Sequence, residues 1–453
     1  MAKKKEKTLE EKLQEALVPE NQWPYILPEN WCWTRLKYIS NTVTGGTPSK
    51  KHDEYYGGDF PFYKPADLDS GRDLYSASEY LSDLGKNYAK FIPKGSVAVC
   101  CIGSIGKTGY FNVDGCTNQQ INSIIPKINS LFVFYYASCD YFTNELWTKS
   151  SATTISIVNK SKMDDCYIPL PPLSEQKRIV HRIESLFAKL DEAKEKIQQV
   201  LDGAEMRKAA ILHKAFTGEL TKTWRKENTA IFENSSLGID EELISDNLKE
   251  LPDNWCWCKI GDFLELKAGK NIKAENISIE KNDNNKYACY GGNGIRGYVD
   301  SFNVEGTHII IGRQGALCGN INIAENKFYA TEHAVVVYPR YDTDISWLSE
   351  NLRFLNLNQY SRSAAQPGLA VKNINNVLMP VAPYAEQVEM GRLISQMLNV
   401  WKQKEIICNK VLNKIDTMKK SILAKAFRGE LGTNNPTEDS ALNLLKEVLQ
   451  DKS

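Results

Sequence analysis

The sequence predicts an α+β protein: two mixed α/β modules joined by two long coiled-coil helices, pseudo-two-fold and quasi-circular. Three observations carry that expectation. Landmarks recur in tandem, each copy has an apolar stripe of fixed length, and strand-like runs with Gly-rich loops lie upstream of each stripe.

The chain has 453 residues, too many for one ordinary core. With 42% hydrophobic and 25% charged residues, it falls outside the disordered and fibrous classes. No apolar run approaches the roughly 18 residues of a membrane span. The start, Met1-Ala2-Lys3-Lys4-Lys5-Glu6-Lys7, leads into no apolar signal segment, so a cytoplasmic location is expected. The 56 Lys and Arg balance 56 Asp and Glu. A uniformly basic surface is thereby excluded, and nucleic-acid contact would need Lys and Arg clustered on one face. The 11 cysteines include no C-x-x-C pair, and Cys32, Cys100, Cys101, Cys139, Cys166 and Cys289 sit among apolar neighbours. Reduced, buried thiols are expected rather than zinc ligands or disulfides.

The duplication is the central feature. Leu27-Pro28-Glu29-Asn30-Trp31-Cys32-Trp33 returns as Leu251-Pro252-Asp253-Asn254-Trp255-Cys256-Trp257, an offset of 224. Leu173-Ser174-Glu175-Gln176, after a Pro-rich strand end, returns as Tyr384-Ala385-Glu386-Gln387, an offset of 211. Lys214-Ala215-Phe216-Thr217-Gly218-Glu219-Leu220 returns as Lys425-Ala426-Phe427-Arg428-Gly429-Glu430-Leu431, again at 211. Each copy therefore joins a module of variable length to a segment held at constant length.

The constant segment reads as a long helix. Ile179, Ile183, Leu186, Leu190 and Ile197 step by four and three in the first copy; Met390, Ile394, Met397, Trp401, Val411 and Ile415 do so in the second, with Lys404 interrupting. Pro169, Pro171, Pro172, Pro380 and Pro383 end the preceding strands, and Gly218 and Gly429 stop the helices. A helix of about 43 residues would be roughly 65 Å long. Its stripe cannot stay in water alone, which predicts either a dimerisation coiled coil between two chains or, more sharply, pairing between the copies within one chain.

Strand-like runs in the modules are Ser96–Ile102, Gln120–Pro126, Thr307–Ile311 and Ala334–Pro339. Gly-rich loops separate them: Thr44–Ser49 and Gly103–Lys107 in the first copy, Tyr290–Tyr298 and Gly312–Ala316 in the second, with Gly103 matched to Gly312. No Gly-Gly-x-Pro loop is found near Ala268. Leu9–Leu13 is echoed by Ile239–Leu243, and Ala441–Leu449 is a further short amphipathic helix, expected to close towards the N-terminus. The expected divisions are a lead (1–26), first module (27–172), long helix (173–220), linker with a short helix (221–250), second module (251–383), second long helix (384–431) and closing helix (432–453).

The Gly45-Gly46-Thr47-Pro48-Ser49 loop, the Pro-Leu-Ser-Glu-Gln helix start, the Lys-Ala-Phe-x-Gly-Glu-Leu helix end and their duplicated order resemble the specificity subunits of type I restriction–modification systems. The resemblance spans roughly residues 20–450. It implies two target-recognition domains, each reading half of a split, asymmetric double-stranded DNA site, with an antiparallel pair of coiled-coil helices holding them apart. It also implies docking of two methyltransferase subunits and of restriction subunits, no catalysis by this chain, and no cofactor of its own. S-adenosylmethionine would belong to the methyltransferase and ATP with Mg to the restriction partner. A self-contained fused endonuclease and a coiled-coil scaffold that never meets DNA are the alternatives.

Candidate readers are polar residues on or near the Gly-rich loops. They are Lys50, Lys51, Lys64, Arg72, Lys107, Asn118 and Gln119 in the first module, and Lys270, Lys273, Asn293, Arg296, Arg313, Gln314 and Arg362 in the second. Arg suits guanine, Asn and Gln suit adenine, and Lys mostly holds phosphates. Trp31, Trp33, Trp255 and Trp257 read as core anchors where module meets helix. Gly292-x-Gly294-x-x-Gly297 matches a dinucleotide fingerprint only literally, because an apparent strand rather than a helix follows it. Gly103–Thr108 has too short a spacing for a phosphate loop. The five histidines form no H-x-x-x-H pair, and neither a metal nor a catalytic set is expected.

Overall fold

Val97-Ala98-Val99-Cys100 and Ile309-Ile310-Ile311 are wholly buried runs rich in β-branched residues, and each becomes a middle strand of its own four-stranded sheet. The computed structural model describes residues 7–151, 155–229, 250–315, 317–361 and 368–450; the Ile239–Leu243 echo and Arg362 lie outside them. The chain divides into two units, Met1–Ile197 with Lys410–Ser453, and Gln198–Asn409.

In the first unit, β1 (Cys32–Arg35) pairs with β9 (Tyr167–Leu170). The main sheet runs β2 (Ser40–Thr44), β8 (Ile121–Pro126), β5 (Val97–Cys100), β6 (Thr108–Tyr110), antiparallel throughout. A second sheet places β3 (Tyr56–Tyr63) between β4 (Glu79–Leu81) and β7 (Cys116–Thr117), the last pair parallel. The second unit repeats this plan. There β10 (Cys256–Lys259) pairs with β19 (Leu378–Val381), and the main sheet is β11 (Leu264–Ala268), β18 (Ala334–Pro339), β15 (His308–Gly312), β16 (Ile321–Ala324). Its mixed sheet is β13 (Gly294–Val299), β12 (Tyr287–Gly291), β17 (Lys327–Ala330), β14 (Val304–Glu305), with β12–β17 parallel. Even the register of the smallest sheet recurs, Trp33 opposite Pro169 and Trp257 opposite Pro380. Proline is tolerated there because a two-stranded sheet leaves one backbone edge unpaired.

The two constant segments are not alike. The second is one helix, Tyr384–Phe427, but the first is two, Leu173–Asp202 and Ala204–Phe216, which corrects the single helix expected. Gly203 costs helix stability, and Arg207 donates to the Val200 carbonyl there (2.8 Å). At the same position the second copy has Lys414, a good helix former.

Within each unit the start of one copy's helix meets the end of the other's. In the first, Glu175 accepts from Asn434 (3.0 Å), Phe187 lies under Lys419 (5.0 Å), and Asp191 pairs with Lys419 (2.5 Å). In the second, Thr221 donates to Glu386 (2.5 Å), Arg207 stacks on Trp401 (4.9 Å), and Lys208 pairs with Glu405 (3.4 Å). Rising numbers on one segment meet falling numbers on the other, so the local direction is antiparallel. Phe427 sits against Phe132 (5.3 Å) and Tyr136 (5.1 Å) of the first module. Phe216 sits against Phe354 (5.1 Å) of the second. Burial along the stripe is uneven. Ile179, Ile183, Met390, Ile394 and Ile415 are buried, Leu186, Leu190, Ile197 and Trp401 half-buried, and Met397 and Val411 still exposed, because two helices cannot cover each other's full circumference.

The duplicated landmarks converge at a hub in each unit. In the first, Trp31 Nε1 donates to buried Glu175 (2.7 Å), Gly429 lies against Pro28, and Ala441 donates its backbone N–H to Asn30 O (2.9 Å). Helix Ala441–Gln450 thereby shares a core with Ala16 and Leu13 of helix Leu9–Ala16. In the second, Trp255 Nε1 donates to buried Glu386 (2.9 Å), Gly218 lies against Pro252, and Arg225 pairs with the same carboxylate. Trp31, Trp33 and Trp255 are buried and Trp257 half-buried. Among the described residues no helix is long and apolar enough to cross a membrane.

Candidate nucleic-acid interface

Each module carries one short turn held by the same backbone contacts. In the first, Gly45 N donates to Ile121 O (3.0 Å), Gly46 N to Thr117 O (2.9 Å), Asn118 N to Tyr63 O (3.2 Å) and Cys101 N to Gln120 O (2.8 Å). In the second, Gly269 N donates to Ala334 O (2.9 Å), Lys270 N to Ala330 O (2.9 Å), Thr331 N to Tyr290 O (2.9 Å) and Arg313 N to His333 O (2.9 Å). Thus Gly269-Lys270 stands where Gly45-Gly46 stands, although the sequence showed no such loop near Ala268. The packing explains this. A Cβ on Gly45 would lie 2.2 Å from Asn118 O and one on Gly269 2.3 Å from Thr331 O, whereas Gly46 has nothing within 4 Å, so lysine fits in the second copy. Gly45→Ala should therefore cost about 1–3 kcal/mol in urea unfolding and Gly46→Ala less than about 0.5 kcal/mol. Equal effects would contradict this packing.

The same contacts correct the other loop match. Gly106 N donates to Cys100 O (3.0 Å) and Gly319 N to Gly312 O (2.7 Å), so Gly312 corresponds to Cys100 at a strand end. Gly103 corresponds to Gly315, and the second loop is one residue longer.

The structure brings some candidates together and ties others elsewhere. In the first module, Gln119 is exposed and accepts from Thr47 of the glycine loop (2.6 Å). Asn118 is buried, donates to Gln120 Oε1 (2.9 Å) and accepts from Gln120 N (3.1 Å). Lys50 and Lys51 follow that loop, exposed. Lys64 pairs with Glu79 (2.8 Å) and Lys107 with Asp69 (2.8 Å). Arg72 donates to Asn112 (3.1 Å), lies over Tyr110 (4.8 Å) and approaches Glu184 of the long helix (3.5 Å).

In the second module, Asn293, Arg296 and Gln314 line one cleft of about 530 Å³ with His333, over a floor of Gly291, Gly292, Gly294 and Gly315. Asn293 accepts from Asn320 (3.1 Å). Lys270 is exposed and bridges to Thr331, while Arg313 is half-buried beside the cleft through its backbone bond to His333. Lys273 pairs with Glu275 (3.4 Å) on the surface. His333 Nε2 lies 3.2 Å from Glu332, and His333 Nδ1, Glu332 Oε2 and Thr331 Oγ1 are buried atoms without a hydrogen-bond partner among the described residues. Gln120, Glu332 and His333 were not among the candidates. Their signal was a polar triplet placed immediately before the β-branched run of each copy.

All 11 cysteines are free, and burial pushes the thiols of Cys32, Cys101, Cys116 and Cys258 up to about 12. Among the described residues no cluster of three His, Cys, Asp or Glu side chains is placed to hold a metal ion.

Two repeated modules, each with a framed polar turn and each followed by a long helical segment, define a duplicated α+β protein. The type I restriction modification DNA specificity domain matches residues 28–202 and again 252–413, and the chain belongs to this family. It is 30% identical over 375 residues to the type I restriction enzyme EcoprrI specificity subunit of Escherichia coli, covering 80% of this chain and 86% of that one. The MjaIX specificity subunit of Methanocaldococcus jannaschii is 26% identical over 440 residues, 89% of this chain and 94% of its own. Two solved structures share the fold at 20% identity. A chain from a study of complex assembly and conformational transition of the type I R-M system has a TM-score of 0.67, over 90% of this chain and 100% of its own. The HsdS subunit from Thermoanaerobacter tengcongensis scores 0.60, over 90% and 99%. This chain is accordingly a DNA sequence-specificity subunit, a recognition component that does no catalysis itself.

Proposed function

We propose that the two modules are target-recognition domains that read the two halves of one bipartite, asymmetric duplex site. The helices between them pair as an antiparallel coiled coil in a quasi-circular, pseudo-two-fold chain and set the unread gap, as half-site spacing mirrors protein symmetry elsewhere. The observation that carries this reading is the exchange of helix ends: each unit holds the start of one copy's helix and the end of the other's. In this reading two methyltransferase subunits dock on the chain and bring S-adenosylmethionine, restriction subunits bring ATP and Mg, and the complex works in the cytoplasm. The test is methylation of a random-sequence library by this chain with its modification subunit. Modified adenines at a fixed spacing within two constant half-sites support the reading. Metal-dependent cleavage by the chain alone would instead support a fused endonuclease, and absence of salt-sensitive duplex binding a scaffold.

Docking has its own expected result. Met206, Val400 and Ile407 of the second unit are 79%, 54% and 58% exposed on the long helices, apolar surface of a kind that marks protein contacts. Val400→Asp with Ile407→Asp should leave unfolding within about 0.5 kcal/mol of wild type per site. Affinity for the modification subunit should fall at least about ten-fold in titration calorimetry, equivalent to ~1.4 kcal/mol. Unchanged affinity would move the docking surface elsewhere.

A further inference from the structure

We infer that residues 118–120 and 331–333 are equivalent, exchangeable base-reading turns, the first suited to an A·T pair and the second to a C·G pair; this rests on the two-module reading above. Four backbone hydrogen bonds and one close-packed glycine hold both turns in the same way, at Gly45 and at Gly269. The backbone is thus common and only the side chains differ. A scaffold that must accept different readers without refolding requires this division between shared frame and free side chains.

The side chains then decide the chemistry. Asn118, Gln119 and Gln120 are all carboxamides, the group whose paired donor and acceptor match the N6 and N7 edge of adenine. Gln119 is the exposed member; among the described residues only its carbonyl is engaged, by Thr47, and its NH₂ is left to donate. Glu332 and His333 replace two of the amides in the second module. A carboxylate accepts from the N4 amine of cytosine, and an imidazole N–H can donate to a guanine acceptor. Both side chains are about one-third exposed (35%), and among the described residues their mutual contact at 3.2 Å is the one side-chain interaction that turning outward would break. Exposed Arg296, on the rim of the same cleft, adds a two-pronged donor suited to guanine.

The test grafts one turn onto the other within the full chain. The triple variant N118T/Q119E/Q120H and its converse T331N/E332Q/H333Q are assayed with the modification subunit on a library randomised across both half-sites. The methylated sites are then sequenced. The first graft should convert one A·T position of the first half-site to C·G, and the converse graft should do the reverse in the second. The other half-site and the gap should not change. Because a triple change near Gly45 could unfold the module, Gln119→Ala and Arg296→Ala alter exposed side chains alone. Each should lower preference at one position of its own half-site by about ten-fold or more. Folded variants that retain wild-type preference at every position, or that lose binding equally on all sequences, overturn the inference. A wild-type chain without bipartite selectivity overturns the two-module reading instead, so the two failures are distinguishable.

Discussion

Glu386→Ala is expected to destabilise the second unit by about 3–5 kcal/mol, the usual cost of removing one partner from a buried ion pair. Glu386 is fully buried and takes donors from Trp255, Thr221 and Arg225, whose own side chain is only 15% exposed. Without the carboxylate the Trp255 indole N–H and the Thr221 hydroxyl lose this acceptor, and the Arg225 guanidinium loses its counter-charge while keeping the Gly218 carbonyl (2.6 Å). Its counterpart Glu175 behaves differently. It is equally buried but its direct partners are Trp31, Asn434 and Thr433, all uncharged, since the nearby Arg178 is taken by Glu438 (2.8 Å). Glu175→Gln should therefore cost much less than Glu386→Gln. Burial holds the Glu175 carboxyl above its ordinary value. The folded state then binds the proton more tightly than the unfolded one. The stability Glu175 contributes is complete below the ordinary carboxylate range and is lost as pH rises through the raised value. Stability of Glu175→Gln relative to wild type should accordingly increase from acidic to neutral pH. Denaturant unfolding of the three variants across that range checks both statements, and equal losses for the two Gln variants would refute the asymmetry.

Inserting four helix-forming residues after Gln199 and again after Lys410 should lengthen the gap between half-sites by about two base pairs. These are the same position in the two copies, bracketed by the pairs Asp191–Lys419 and Lys208–Glu405. Four residues add about 6 Å of helix at ~1.5 Å each, and duplex DNA rises ~3.4 Å per base pair. Inserting in both keeps the antiparallel register on either side of the new turn. Sequencing of methylated sites should show the wild-type half-sites at the longer spacing. An unchanged gap, or altered half-sites, would end the ruler model.

Much of this architecture was legible without coordinates because it rests on repeated, locally coded features. The runs Val97–Cys100 and Ala334–Pro339 are strands because β-branched side chains suit a buried pleat, and both were found within a residue or two. The stripe positions Ile179, Ile183, Met390 and Ile394 are buried. Loop correspondence was not legible. Gly103 aligns with Gly315 and not Gly312, since glycines were matched by order while the backbone matches them by hydrogen bonds and positive φ. Arg72 illustrates a related limit. An arginine near a loop reads as a base contact, yet whether Tyr110 and Glu184 hold it depends on which elements fold beside it.

The sequence by itself determined the duplication, the four β-branched strand runs, the position of the long helical segments and the repeated Trp, Glu and Gly landmarks, because periodicity and turn chemistry act over a few residues. Only the tertiary structure decided that Phe427 serves the first module and Phe216 the second, and that His333 and Gln120 occupy one equivalent place. Those outcomes depend on hydrogen bonds and packing between segments from about twenty to about three hundred residues apart, which no local pattern encodes.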